Sequence, residues 1–188
     1  MGWQSPTALP TFRSPPRLPS PVPSASVRVV DVYPYRIADD GLLEFLVLRR
    51  ADGRAYAGQW RMIGGKIEEG EAAYHAAMRE LVEETGYRPG KGLLRFWAIP
   101  SLNVFYEWTN DTVALTPAFA AQVEGDPTLD DEHDAFTWMR TDDVARLAWP
   151  EQQRLLSLAA DLLVAGPIPP ELDIPLDRAA RGTGNLFA

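Results

Sequence analysis

The sequence has no cysteine and only two histidines, His75 and His133, among its 188 residues. Without cysteine the chain cannot form disulfides, Cys-ligated zinc sites, iron–sulfur clusters or a thiol nucleophile. Basic residues are also scarce, since 18 Lys and Arg stand against 26 Asp and Glu, for a net charge of −8. A surface that coats a nucleic-acid polymer needs clustered Lys and Arg, so we expect no such partner. A protein of this charge that handles phosphates needs a cation as intermediary.

Long hydrophobic runs are missing as well. No apolar stretch approaches the roughly 18–20 residues of a membrane span, and the N-terminus lacks the apolar centre of a signal peptide. Together with the lack of cysteine, this predicts a cytoplasmic protein with no membrane partner. The chain does contain 46% hydrophobic residues, and its length suits one domain that can bury a sizeable core.

Prolines divide the chain into three parts. Of the 17 prolines, seven lie between Pro6 and Pro23, and four more lie at positions 167, 169, 170 and 175. Since proline removes a backbone donor and fixes φ, both ends are predicted to be extended, Pro-rich tails rather than packed elements. The expected division is a flexible tail over residues 1–25, one domain over residues 26–165 and a second tail over residues 166–188. A Pro-rich tail that binds an SH3-like partner is the alternative for the N-terminus.

Strand and helix formers alternate within the domain. Residues 71–85 contain no proline or glycine and predict a helix that stops at Gly86, and Pro150 is placed to open a last helix to about residue 164. Pro34 is expected to limit the first strand. Strand-like segments lie at 26–35, 43–50, 60–63, 93–99, 104–108, 113–123 and 135–139. This order indicates an α/β (α+β) fold with a mixed central sheet and helices on its faces.

The predicted helix 71–85 carries a cluster of carboxylates. At about 100° per residue, Glu80 and Glu84 lie on one face, and Glu83 lies on its flank. Like charges at this spacing destabilise a helix by roughly 0.2–0.5 kcal/mol per pair, and Arg79 can offset one of them. A solvated acidic face is the alternative interpretation. The glycines before and after the helix favour instead a site for a hard cation, Mg²⁺ or alternatively Mn²⁺.

The stretch GKIEEGEAAYHAAMRELVEETGY, residues 65–87, resembles the signature of the Nudix hydrolase family, G-x5-E-x7-R-E-U-x-E-E-x-G-U, where U is a bulky aliphatic residue. The specified positions match in full register at Gly65, Glu71, Arg79, Glu80, Leu81, Glu83, Glu84 and Gly86. Tyr87 replaces the usual aliphatic residue, which affects packing rather than chemistry. The strand order around the motif also resembles the family domain over residues 26–165.

The resemblance implies a Nudix-type α/β/α sandwich that cleaves a pyrophosphate bond in a nucleotide by attack of a metal-activated water. The physics agrees, because divalent metals neutralise phosphate charge and lower the pKa of bound water. In the family, divalent-metal ligands are the last three glutamates of the motif and a backbone carbonyl just before it, which correspond here to Glu80, Glu83, Glu84 and Gly64.

Further roles follow from the same resemblance. It places Glu83, Glu84 and Arg79 in the catalytic machinery, although it leaves the identity of the general base open. Arg79 and Glu71 are expected to hold the loop and the helix together. The remaining structural positions of the motif are Gly65 and Gly86.

A further metal ligand is expected from a distant loop. Glu132 is the best candidate, because Glu132-His133 followed by Trp138 is similar to the end of the dATP and dihydroneopterin-triphosphate pyrophosphohydrolase branch. A solvated acidic turn is the alternative. His133 itself is interpreted as a loop or packing residue.

Substrate contacts are predicted for Lys66, Trp60 and Arg61. Lys66 and Arg61 can contact phosphates, and the ring of Trp60 can stack on a base; exposed surface positions and core packing are the alternatives. The C-terminal pattern favours a nucleoside triphosphate as substrate. The other hypotheses are hydrolysis of ADP-ribose or another diphosphate-linked nucleotide, and a Nudix-fold module that binds a nucleotide without cleaving it. Homodimers are common among proteins that resemble this one, so a homodimer stays open.

Overall fold

The computed structural model describes residues 23–181. The predicted N-terminal tail therefore lies outside the described residues, apart from its last three positions. Within the described range, the elements in chain order are β1 (Ser24–Ser26), β2 (Val29–Ile37), β3 (Leu43–Arg50), β4 (Trp60–Arg61), β5 (Ile63–Lys66), α1 (Ala73–Thr85), β6 (Arg88–Pro89), β7 (Gly92–Glu107), β8 (Thr112–Val123), β9 (His133–Met139), a 3₁₀ helix (Thr141–Arg146), α2 (Pro150–Ala165) and α3 (Leu176–Ala180).

The described strands form one mixed sheet, as predicted. Its central path runs β4-β3-β2-β8-β7-β6, with β1 beside β8, β5 beside β2 and β9 beside β3. Strand β2 pairs with β8 in parallel and with β3 and β5 antiparallel. One core cluster packs α1 and α3 against one face of the sheet, and a second packs α2 against the other. The resulting order of layers is α/β/α, with α1 beside β5.

Strand β2 continues through Pro34, where the sequence predicted its end. Residues 29–32 pair with β5 and residues 35–37 pair with β3. Pro34 lies between these two pairings, opposite Ala121 of β8. No hydrogen-bond donor is needed from position 34 on the side where β2 changes partner, so a proline is tolerated there.

The predicted strands 93–99 and 104–108 are parts of one long strand, β7. Its pairing with β8 shifts register between Ala98 and Leu102. Pro100 lies inside this irregularity, where the ladder is already interrupted and its missing donor costs nothing. The strand therefore bends instead of ending, and its second half runs on to the edge of the candidate site.

Residues 166–181 were predicted as an extended tail, but they pack on the domain. The backbone N–H of Ala98 donates to Leu172 O at 2.8 Å, and that of Ile174 donates to Phe96 O at 2.9 Å. Ile168 is buried, and α3 follows with Ala179 buried against the first core cluster. The segment turns at residues 170–172, where the N–H groups of Leu172 and Asp173 donate to the carbonyl oxygens of Pro169 and Pro170 at 3.0 and 3.2 Å. The apolar residues of the segment pack on the two core clusters. Among the described helices, none is long and apolar enough to cross a membrane.

Candidate active site

Arg79 on α1 ties the motif loop to the helix. Its guanidinium donates hydrogen bonds to both carboxylate oxygens of Glu71 (3.1 and 3.0 Å), to Glu80 Oε1 (2.7 Å), to Glu83 Oε2 (3.2 Å) and to the carbonyl oxygen of Lys66 (2.8 Å). The hydrogen bond to Glu71 raises the pKa of Arg79. Burial acts to raise the pKa of Glu71, but the hydrogen bonds from Arg79 and from the backbone N–H of Glu68 together outweigh it, so that pKa is lowered. This geometry supports the predicted structural role of Glu71 and Arg79.

Two glycines on β5 let the helix and the neighbouring strand approach closely. A Cβ at Gly65 would overlap the carboxylate of Glu80. A Cβ at Gly64 would lie 2.6 Å from Val30 O and 2.9 Å from Asp31 Oδ1. Neither contact is compatible with a side chain, which explains in physical terms why the chain has glycine at both positions.

Glu84 is the most strongly perturbed carboxylate of the motif. The residue is 4% exposed, and its Oε2 has no hydrogen-bond partner. Burial, and next the charge of Glu80, raise the pKa of Glu84 well above its usual range. Burial likewise raises the pKa of Glu80, against the hydrogen bond from Arg79. Two carboxylates thus stand together where a cation is the physical way to stabilise their ionised forms.

The loop before β9 closes the site opposite α1. His133 Nδ1 lies 2.8 Å from Asp130 Oδ1, and its Nε2 lies 3.8 Å from Glu84 Oε2 and 3.4 Å from Arg50 NH1. Burial lowers the pKa of His133. Arg50 also donates to Glu132 Oε2 at 2.6 Å, and this hydrogen bond lowers the pKa of Glu132. The sequence predicted His133 to be a loop or packing residue, whereas its ring faces Glu84 and Arg50 in this site.

A small cavity of about 200 Å³ lies between these elements, and a larger one adjoins it. The lining of the small cavity includes Glu84, His133, Arg50, Gly64 and Gly65. Four residues line both cavities: Val29, Asp31, Arg61 and Lys66. The structure thus brings Glu84, Gly64, Lys66 and Arg61 to one place, as the sequence predicted for the site, with their roles still to be tested.

The larger cavity, about 840 Å³, is an aromatic groove. Tyr56, Phe105 and Trp149 line it, with the ring centres of Tyr56 and Phe105 5.9 and 6.1 Å from that of Trp149. The guanidinium of Arg61 stacks over Tyr56 at 4.7 Å and over Trp149 at 5.3 Å. Burial lowers the pKa of Arg61. Flat rings beside a cation suit a nucleobase joined to a phosphate chain.

Trp60, predicted to contact substrate, borders neither of these two cavities. Its ring packs against the second core cluster, with the guanidinium carbons of Arg49 and Arg146 each 5.8 Å from its centre. Trp149 is the tryptophan that lies in the groove. Sequence reasoning used Trp149 only to mark a helix start, although its position before Pro150 could have drawn attention to it.

Asp31 on β2 is a further residue that sequence reasoning missed. It accepts hydrogen bonds from Asn103 Nδ2 at 2.5 Å and from Gln152 Nε2 at 3.0 Å. Burial raises the pKa of Asp31 to about 6. The available signal was a lone carboxylate in the apolar strand pattern of residues 29–35, but its partners come from β7 and α2.

The residues present fit a divalent cation in part. Mg²⁺ prefers oxygen ligands. The site offers the unpartnered Oε2 of Glu84, the neighbouring carboxylate of Glu80, and the backbone carbonyl oxygens of Gly64 and Gly65. Glu80 and the two further predicted ligands, Glu83 and Glu132, are each paired with an arginine. Within residues 23–181, no three His, Asp or Glu side chains are already gathered as a metal site.

Comparisons with known proteins agree with this geometry. The family model described as the NUDIX domain matches residues 26–159. The asymmetrical bis(5'-nucleosyl)-tetraphosphatase of Rattus norvegicus is 28% identical over 116 residues, which cover 62% of this chain and 77% of that protein.

Solved structures show the same fold. A C. elegans Ap4A hydrolase in a binary complex has a TM-score of 0.57 at 20% identity, covering 73% of this chain and 99% of that one. The E. coli dihydroneopterin triphosphate pyrophosphohydrolase has a TM-score of 0.58 at 20% identity, covering 74% and 96%.

Proposed function

This chain belongs to the Nudix family, whose hydrolases act on pyrophosphate bonds, and from that premise we propose that it cleaves the phosphate chain of a nucleoside polyphosphate with a divalent cation at Glu80 and Glu84. The observation that carries the proposal is the junction of two cavities. A small cavity with buried, unpartnered acid opens into an aromatic groove, and Arg61 and Lys66 line both. A phosphate chain at the junction would place its base in the groove.

The cation would be held by Glu80, Glu84 and the carbonyl of Gly64. Glu83 and Glu132 are proposed as further ligands, since their side chains are 43% and 40% exposed and only paired with arginines. When bound, Mg²⁺ or Mn²⁺ neutralises phosphate charge and lowers the pKa of a coordinated water.

The protein's own residues supply binding and orientation. Lys66 lines the junction and would pair with phosphate oxygens, and Arg61, which lines it too, would contact the substrate from the side of the groove. Arg79 would hold Glu80 in place through its hydrogen bond and its link to the loop carbonyl of Lys66. His133 and Arg50 close the small cavity on the side opposite α1 and limit the entry of bulk water.

A nucleoside triphosphate is the proposed substrate, and a dinucleoside polyphosphate is the second candidate. The second is supported by the curated relative named as a bis(5'-nucleosyl)-tetraphosphatase. Both substrates share a base, a ribose and a chain of phosphates, so both fit the joined cavities.

Product analysis by chromatography tests the proposal. The purified chain would meet nucleoside triphosphates, dihydroneopterin triphosphate, ADP-ribose, NADH and diadenosine polyphosphates, each with and without Mg²⁺. We expect Mg²⁺-dependent formation of a nucleoside monophosphate and pyrophosphate from a triphosphate. Two monophosphates from ADP-ribose or NADH would replace this substrate class with diphosphate-linked nucleotides. No turnover of any substrate would contradict the proposal and favour a binding module.

A further inference from the structure

Unpartnered buried polar atoms concentrate around the two joined cavities. Within residues 23–181, five buried side-chain nitrogen or oxygen atoms lack a hydrogen-bond partner. Four of them belong to residues that line one of the cavities, namely Ser26, Arg61, Glu84 and Asn103. A buried donor or acceptor without a partner destabilises the folded protein. Such a concentration indicates atoms that a ligand satisfies, and Glu84 accounts for only one of them.

Asn103 is oriented so that its acceptor is the free atom. Its Nδ2 donates to Asp31 Oδ2 at 2.5 Å and to Tyr33 OH at 3.1 Å, while its Oδ1 has no partner. A flipped amide would point Oδ1 at the Asp31 carboxylate, which has no proton to donate when ionised. The two hydrogen bonds of Nδ2 therefore fix the orientation of the amide and leave Oδ1 unpaired. Asn103 lines the groove.

Gln152 holds the other oxygen of Asp31. Its Oε1 accepts from the backbone N–H of Met62 at 3.1 Å, so its Nε2 is the end that donates to Asp31 Oδ1 at 3.0 Å. Asp31 is thus clamped by two amides from separate elements. Each carboxylate oxygen keeps a further lone pair, and Asp31 lines the groove, so it can accept from a ligand there.

Arg61 supplies a hydrogen-bond donor beside the two acceptors, Asn103 and Asp31. Its guanidinium is stacked over the rings of Tyr56 and Trp149, and its Nε–H has no hydrogen-bond partner. These three residues therefore offer two acceptors, on Asn103 and Asp31, and one donor, on Arg61, beside the aromatic rings. Ser26, Arg28, Lys66 and four glutamates also line the groove.

We propose that Asn103, Asp31 and Arg61 read the Watson–Crick edge of a guanine base held against Trp149. Guanine presents an acceptor, O6, and two donor groups, N1–H and N2–H₂, which complement the donor and the two acceptors of the groove. Adenine presents an acceptor, N1, where guanine presents a donor, so N1 would face an unpaired oxygen of the protein. This inference rests on the proposed function, because it takes the groove as the base site of the hydrolysed nucleotide.

Calorimetric titration of nucleoside monophosphates tests the base readout without catalysis. The wild-type chain would be titrated with GMP, IMP, AMP and UMP at pH 7.5. One well-placed set of base contacts gives about 1–3 kcal/mol of discrimination, so we expect GMP to bind at least about tenfold more tightly than AMP. IMP, which lacks the N2 amino group, should fall between them. Equal affinities, or tighter binding of AMP or UMP, would overturn the proposal.

A matched pair of variants assigns the preference to Asn103. Asn103→Ala should weaken GMP binding about tenfold, leave AMP binding unchanged and so remove most of the preference. Asn110→Ala changes an exposed asparagine of the turn after β7 and should leave both affinities at their wild-type values. Equal loss for GMP and AMP in Asn103→Ala would overturn the assignment. If that variant does not fold, the order GMP, IMP, AMP in the wild type still decides the proposal.

The two proposals fail in different ways. Selective GMP binding without hydrolysis of any triphosphate would keep the base readout and reject the proposed function. Mg²⁺-dependent hydrolysis with equal kcat/KM for guanine and adenine triphosphates, together with equal monophosphate affinities, would keep the function and reject the readout.

Discussion

The two ends of the acidic cluster on α1 differ in how their charges are satisfied. At one end, Arg79 donates five hydrogen bonds, and Glu71 and Glu80 receive three of them. At the other end, Glu84 Oε2 has no partner, and the nearby Asp31 is held only by neutral amides. The first end fixes the shape of the loop and the helix. The second end keeps buried acid without a hydrogen-bonded cationic partner, which is the arrangement that a bound cation and substrate would complete.

This difference separates side chains that the fold already holds from side chains that are free to act on a ligand. Glu80 is held through Oε1 by Arg79 and is also proposed as a cation ligand. Removing one partner of a satisfied buried pair leaves an uncompensated charge and destabilises the protein. Neutralising a buried carboxylate that already lacks a partner removes the cost of burying its charge, so it leaves stability unchanged or increases it. The same chemical change, loss of one charge, should therefore have opposite effects on stability at the two ends.

The largest expected effect is a loss of activity at the second end of the acidic cluster, the unsatisfied end, which contains Glu84. Glu84→Gln keeps the volume and removes the charge, so activity should fall about 10²–10⁴-fold, the range for loss of an essential catalytic group. The free energy of unfolding should stay equal or rise, because burial no longer opposes ionisation at this position. Steady-state kinetics and urea unfolding of the same preparation measure both. Unchanged activity, or a large loss of stability, would contradict the assignment.

The next largest effect is a loss of stability when the first end of the cluster, the satisfied end, loses Arg79. Arg79→Met should lower the free energy of unfolding by about 3–5 kcal/mol, since it leaves Glu71 and Glu80 buried without their cation. Urea unfolding measures the loss. The matched control, Arg181→Met, removes an exposed i,i+4 pair with Asp177 and should change stability by less than about 0.5 kcal/mol. Equal losses in the two variants would show that Arg79 is an ordinary surface arginine.

The pH dependence of stability should reveal the buried carboxylate of Asp31. Folding raises the pKa of Asp31 from 3.8 to about 6, so the folded protein binds more protons than the unfolded chain between these pH values. The resulting stabilisation is present below about pH 4 and is lost as the pH rises through 6, in total roughly 3 kcal/mol.

Asp31→Asn cannot titrate, so the stability of the variant relative to the wild type should increase between pH 4 and pH 7 by up to that amount. Urea unfolding of both proteins at pH 4, 5, 6 and 7 follows this difference. A difference that is independent of pH would contradict an elevated pKa at Asp31.

The smallest effect tests the contact between β5 and α1. Gly65→Ala places a Cβ against the Glu80 carboxylate, and the overlap should cost about 1–3 kcal/mol of stability. Activity should also fall, because Glu80 must move from its position beside Arg79. Gly53→Ala is a suitable contrast: Gly53 has open space around it but a positive φ, so a loss there reflects backbone strain alone and should leave kcat unchanged.

The part of the site that the sequence could predict is the part encoded locally. The spacing from Gly65 to Gly86 depends on one loop and one helix, so residue order alone places Glu80, Glu83 and Glu84 together. Gly86 has a left-handed backbone, with φ of 71°, and ends α1 at the position where the sequence predicted the end of the helix. The mixed sheet could also be predicted from the order of its elements.

The groove could not be predicted in the same way. Asp31, Asn103 and Gln152 come from β2, β7 and α2, and only the pairing of distant strands and the packing of α2 bring them together. The packed C-terminal segment was missed for a related reason, because proline content describes the local backbone and not the surface available to its apolar neighbours.

Binding of Mn²⁺ tests the central claim most directly, namely that the unsatisfied end of α1 is a cation site. Calorimetric titration of the wild type, Glu84→Gln and the exposed-surface control Glu171→Gln would be done without substrate at pH 7.5. The account predicts saturable Mn²⁺ binding by the wild type and the control, with at least about tenfold weaker binding by Glu84→Gln. Equal Mn²⁺ affinity in all three proteins would contradict it.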